Sequence, residues 1–190
     1  MAFSKITLAL FMIYLVNLLS SSGPSPLSAF ARRTHSQSTA PLAVQVCSNT
    51  SDFRFCMRTL YADRRAHKAD RVVIAYIAFS TAFNRANATI DLIRARISSG
   101  ANVKPEVLAG LMGCRGNYTE AGQAMMEALG NLDSDTYYGF DRLAGKADSG
   151  AKACEGGFGP KPSPMAKENG DMMKLANICS VVANLFSYSD

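Results

Sequence analysis

Five cysteines, Cys47, Cys56, Cys114, Cys154 and Cys179, carry the clearest chemistry in this chain, and that chemistry is oxidation. None forms a CxxC pair, and none lies at metal-ligand spacing from the two histidines, His35 and His67. The pattern therefore points to neither a zinc site nor a redox dithiol. Four cysteines joined as two disulfides admit three connectivities. Cys47 and Cys56 suit a local loop worth about 2–3 kcal/mol in the chain-entropy model. We expect Cys114 and Cys154 to be bonded, clamping the end of one helical region to the start of another, on a scale of about 4 kcal/mol. Cys179 falls inside an apolar helical pattern and is expected to be a buried free thiol.

Other reactive side chains do not assemble into a constellation. His67 lies in the charged run Arg64-Arg65-Ala66-His67-Lys68, a solvated setting. Carboxylates pair as Glu120 with Glu127 and Asp133 with Asp135, but acid–base work needs a cleft that raises one pKa. A small helical protein offers ridges instead. No GxSxG or HExxH occurs, and the glycines of Gly156–Gly159 are interrupted by Phe158 and followed by prolines, as in a loop. We expect no catalytic residue, no metal and no cofactor, and a binding protein directed at another protein.

The N-terminus sets the compartment. Lys5 precedes an apolar run from Ile6 to Leu19, followed by small residues and by Ala29 and Ala31. Residues 1–30 read as a secretory signal, cleaved at about 22–31, rather than as an uncleaved anchor. Residues 31–42 are expected to be a disordered lead and residues 43–190 a single domain. The formal net charge of +5 falls by one with Lys5. Basic residues are densest at Arg58, Arg64, Arg65, Lys68 and Arg71, with only Phe55 and Tyr61 near them. That is no nucleic-acid stripe, although weak affinity for an acidic polymer fits it. We expect a secreted protein of the extracellular space, without membrane attachment after cleavage.

The spacing of apolar residues supplies the scaffold. Residues 43–66 read as a short helical hairpin. From Ala69 to Ser99, Tyr76, Phe79, Phe83, Ala86, Ile90, Ile93 and Ile97 recur at threes and fours, with Asp70 as N-cap and Gly100 as stop. Pro105 opens a second helix with the stripe Leu108, Leu111, Met112, Tyr118, Ala121, Met125, Leu129 and Leu132. Its other face, Asn117, Glu120, Gln123, Ala124 and Glu127, is expected to be one exposed polar ridge. Asp135 or Ser134 is expected to cap a third helix through Tyr137, Phe140, Ala144, Ala147 and Ala151. A last helix carries Met172, Leu175, Ile178, Val182 and Leu185. The fold class is all-α: an antiparallel four-helix bundle, its helices 18–30 residues long, with an N-terminal helical hairpin and two disulfides. Sequons begin at Asn49, Asn87 and Asn117. Asn49 and Asn87 are candidate glycosylation sites, whereas Asn117, committed to a helix on the ridge, is expected to stay unmodified.

The four-cysteine frame resembles the plant invertase/pectin methylesterase inhibitor family. Cys114-x-x-Asn117-Tyr118-x-x-Ala121, Asp135-Thr136-Tyr137, Cys154-Glu155-x-x-Phe158 and Ser163-Pro164-Met165-Ala166-Lys167-Glu168-Asn169 each look like that family's local motifs, the last like its pollen-type members, and together span about residues 43–187. The resemblance implies disulfides Cys47–Cys56 and Cys114–Cys154. It implies a secreted, stoichiometric inhibitor, a monomer in a one-to-one complex, docking across the pectin-binding cleft of a pectin methylesterase through Asn117, Glu120, Gln123 and Glu127. The alternatives are an inhibitor of cell-wall or vacuolar acid invertase and a non-inhibitory secreted bundle. Esterase inhibitors often carry Thr and Asp where this chain has Ala153 and Gly156. The invertase branch often has Pro-Lys-Phe where this chain has Tyr137-Tyr138-Gly139.

Overall fold

The computed structural model describes residues 40–99, 104–160 and 163–187. The expected signal segment, most of the expected lead and the Gly100 stop lie outside these residues. The compact unit spans Thr39–Asp190. Its described residues contain six α-helices and no strand.

A hairpin comes first. Helix α1 (Leu42–Ser48) and helix α2 (Phe53–Leu60) are joined by Cys47–Cys56, with 5.4 Å between Cα atoms and both residues fully buried. Leu42, assigned from sequence to the lead, is the first residue of α1. Asp52 caps α2 by accepting from Phe55 N at 2.9 Å. Asp63 accepts from Arg65 N at 2.9 Å and so caps a short 3-10 turn, Arg64–Lys68. These segments are too short to persist alone. They are held by the disulfide and by Val46, Cys56 and Leu60, buried against the bundle.

Four longer helices form the bundle: α3 (Arg71–Ser98), α4 (Pro105–Asp133), α5 (Phe140–Gly156) and α6 (Ala166–Ala183). Asp70 caps α3 by accepting from Val73 N at 2.9 Å, and Pro105 is the first residue of α4. Each helix buries a stripe at threes and fours: Ile74, Ala78, Ala82, Ala86, Ile90 and Ile93 on α3, for instance, or Leu111, Cys114, Tyr118, Ala121, Met125, Ala128 and Leu132 on α4. Cross-helix pairs fix the directions. Arg85 meets Asp171 and Arg96 meets the Pro164 carbonyl, so α3 and α6 run antiparallel. Cys114 meets Cys154 and Glu127 meets Arg142, so α4 and α5 do as well. The packing order is a ring in which α3 lies against α4 and α6, and α5 lies against the same two. The hairpin sits on the α3 and α6 side.

Five expectations change. The third helix starts at Phe140, not at Ser134 or Asp135, and has 17 residues rather than 18–30. Asp135 (φ 53°), Tyr137 (φ 47°) and Gly139 (φ 70°) are left-handed, which no right-handed helix can contain. Tyr137 instead stacks on Phe186 at 5.0 Å, part of an end cluster with Phe140 and Phe79. Tyr76 is 40% exposed, its ring 5.6 Å from the Arg65 guanidinium, and Met112 is 52% exposed, so both leave the expected core. Ala124 moves the other way: it is buried at 2% where α4 faces α5.

Candidate functional site

Three features bring α4 and α5 close and hold them there. The Cys114–Cys154 bond sets their Cα atoms 4.5 Å apart at one end. A turn further along, Gly150 has no Cβ, and one placed there would lie 2.8 Å from the Asn117 carbonyl oxygen. Towards the other end, Arg142 Nη2 donates to Glu127 Oε1 at 3.0 Å. Both of these side chains are half exposed, so the pair contributes at most about 1 kcal/mol.

Between the helices lies an open groove of ≈ 590 Å³. Its α4 wall is Asn117, Glu120, Gln123 and Glu127. Its α5 wall is Arg142, Lys146 and Ser149, and its floor is Ala124, Gly145 and Gly150. Thus the four ridge residues expected from sequence do line one surface. Glu120, Gln123 and Glu127 are exposed on the lip, and Asn117 is half-buried at its edge. The small residues of α5 keep the floor low, so a partner's surface can reach the helix backbone. The groove mixes carboxylates, an amide, a guanidinium and an ammonium. It can exchange directional hydrogen bonds and charges with a protein surface, but nothing in it pairs a nucleophile with a base.

Beneath the groove a polar chain ties three helices. Tyr118 on α4 donates its hydroxyl to Asn169 Oδ1 at 2.9 Å, and Asn169 Nδ2 donates to Glu155 Oε2 on α5 at 2.6 Å. Tyr118 and Asn169 are fully buried. Burial first, and then the carboxylates of Glu168, Asp171 and Glu155, raise the Tyr118 pKa, so the phenol remains a donor. Phe158 packs its ring over Gly110, where a Cβ would clash at 2.6 Å. The Cys154-Glu155-x-x-Phe158 signature is therefore a fastening of α5 to α4 and α6. Sequence periodicity placed Tyr118 in the core but missed this network. The available signal was that a buried phenol needs a polar partner.

The remaining sequence candidates lie elsewhere. Asn49 is exposed at the end of α1, and its own amide donates to the Gln45 carbonyl at 2.9 Å. Asn87 is exposed on α3. Cys179 is fully buried in α6, which pushes its thiol pKa up. Among the described residues no His, Cys, Asp and Glu group could hold a metal, and no helix is long and apolar enough to cross a membrane.

The model of the family "Plant invertase/pectin methylesterase inhibitor" matches residues 42–183, from the first hairpin helix to the end of α6. The chain belongs to this family. Family membership makes it a protein of the enzyme-inhibitor type, of the pectin methylesterase or invertase class, rather than an enzyme. A "Pectinesterase inhibitor" of Actinidia deliciosa is 27% identical over 183 residues, covering 96% of this chain and 94% of that protein. A "Putative invertase inhibitor" of Platanus orientalis is 28% identical over 137 residues, covering 70% of this chain and 79% of that one. The crystal structure of a mutant form A of a pectin methylesterase inhibitor from Arabidopsis superposes with a TM-score of 0.64 at 22% identity, over 74% of this chain and 93% of that one. That likeness is one of fold.

Proposed function

We propose that this chain inhibits a plant pectin methylesterase by laying the α4–α5 groove across the enzyme's pectin-binding cleft. The observation that carries the reading is the groove itself: a polar lip of Glu120, Gln123 and Glu127 over a low floor, on two helices locked by a disulfide, a buried hydrogen-bond chain and close packing. A surface already rigid loses little freedom on docking, so more of its contact energy appears as affinity. Asn117 at the edge of the groove stays without a glycan, because a sugar there would stand between the two proteins. The Actinidia pectinesterase inhibitor, similar over nearly the whole chain, supports the esterase as target. The chain is exported to the wall space, its leader removed, and acts as a monomer in a one-to-one complex.

A second reading is an acid invertase as target. It is favoured by the similarity to the Platanus protein, while the Asp135–Gly139 loop, which presents Tyr138 at 78% exposure, is where the chain departs from the Pro-Lys-Phe of the invertase branch. Asn131 Nδ2 donates to the Tyr138 carbonyl at 2.9 Å and fixes that loop. Parallel titration of both enzyme classes with the oxidised chain separates the readings. Stoichiometric loss of esterase activity supports the first and loss of invertase activity the second. If neither enzyme is inhibited, the docking reading is wrong.

A further inference from the structure

The ring of helices leaves two opposite sides, and they are charged differently. On the bundle helices the cations are largely paired: Arg85 with Asp171, Arg142 with Glu127, Lys152 with Asp148. On the hairpin and the turn that follows it, Arg54, Arg58, Arg64 and Lys68 are exposed and make no ion pair among the described residues. The acids of that segment are already committed. Asp52 caps α2 and bonds Lys174 at 2.9 Å, Asp63 caps the 3-10 turn and grips Arg65, and Asp70 caps α3. Arg54 and Arg58 are one turn apart on the same exposed side of α2. The local excess of positive charge is therefore open to solvent, and it lies on the α3 and α6 side, away from the α4–α5 groove.

We propose that this hairpin is a second binding surface, for a linear polycarboxylate of the uronic acid class. The choice of polyanion follows from what the surface lacks. The apolar face of α2 is turned inward through Cys56 and Leu60, and Phe53, 46% exposed at the helix start, is a single ring rather than a stripe that could enter a lipid surface. Tyr61 is half-buried with its ring edge-on to His67 at 4.8 Å, and Phe53 is the one exposed ring of the hairpin, so no row of aromatic platforms is offered for stacking successive bases. Spaced guanidinium forks suit carboxylates set at intervals along a chain. The uronate identity rests on the esterase reading. Hydrolysis of each pectin methyl ester consumes one water and yields a chain-borne carboxylate, methanol and a proton, so the target enzyme itself generates this polymer. Because the hairpin and the groove are on opposite sides, one molecule can hold the polymer while it holds the enzyme.

The test is affinity electrophoresis of the full oxidised chain through gels containing polygalacturonate or its fully methyl-esterified form. The acidic polymer is expected to retard the protein and the esterified one to leave it free, with the retardation abolished at about 0.5 M salt. The variant R54Q/R58Q/R64Q/K68Q is expected to bind about tenfold more weakly, while keeping its melting temperature and its inhibition of soluble esterase. Equal retardation of that variant, equal retardation by the esterified polymer, or preference for phosphatidylserine vesicles over polygalacturonate overturns the proposal. Polymer binding with no esterase inhibition instead overturns the groove reading and leaves the hairpin as a polycarboxylate site.

Discussion

Asp52 shows how much one side chain carries here. It caps α2 through Phe55 N and bonds Lys174 of α6 at 2.9 Å, so it fixes both the hairpin's own geometry and its seat on the bundle. The hydrogen bond from Lys174, and then that from Phe55 N, hold its carboxyl below the ordinary value of 3.8. A depressed carboxyl stabilises the fold above its unfolded value and loses that contribution as pH falls through the folded one. D52N is therefore expected to melt below wild type at pH 6, with the gap closing as pH falls below ~4. A gap that stays constant on acidification would show that the carboxylate's charge is not what matters. Asp70 was legible as a cap because the helical stripe begins just after it. The ion pair of Asp52 with Lys174 was not legible, since the two residues lie far apart in sequence and only the fold brings them together. Cys179 was legible as a buried thiol from its apolar neighbours, and burial raises its pKa. Native protein is expected to resist iodoacetamide and to be alkylated at Cys179 once unfolded, as read by mass spectrometry.

At the scale of helices, the α4–α5 contact depends on where side chains are missing. A Cβ at Gly150 would meet backbone, the Asn117 carbonyl oxygen at 2.8 Å, whereas one at Gly116 meets nothing within 4 Å. G150A is expected to lower unfolding free energy by about 1–3 kcal/mol through forced separation of the helices. G116A, at an exposed helical position, is expected to raise it by about 0.5–1 kcal/mol. Urea denaturation of the two variants checks both signs, and stabilisation by G150A would mean that the helices are not in close contact there. The sequence could not distinguish these glycines, because helical period places a residue on a face without measuring the distance to the neighbouring helix. The same limit explains Ala124, which belongs by period to the polar ridge but by packing to the groove floor. The start of α5 was hidden for another reason. Asp135 and Tyr137 adopt positive φ, which residue type alone rarely announces, and Tyr137 gains its stacking partner only from Phe186 near the chain's other end.

Over the whole molecule, the bundle and its hairpin were legible because stripe spacing and the cysteine frame agree. The enzyme it meets was not, because that choice depends on complementarity between the groove and a surface this chain does not contain. The Cys114–Cys154 bond links these levels by clamping α4 to α5 at one end of their contact. C114S/C154S is expected to lose about 2–4 kcal/mol of stability and to weaken inhibition, measured by melting and by enzyme titration side by side. Full inhibition by the unclamped protein would separate the clamp from docking. The most direct measurement is titration of a plant pectin methylesterase with wild type and with E120R/Q123R, whose substitutions lie on the exposed lip and leave the buried network untouched. We expect one-to-one inhibition by wild type and at least about tenfold weaker inhibition by a variant with an unchanged melting temperature. Equal inhibition by the two proteins would contradict docking through the α4–α5 groove.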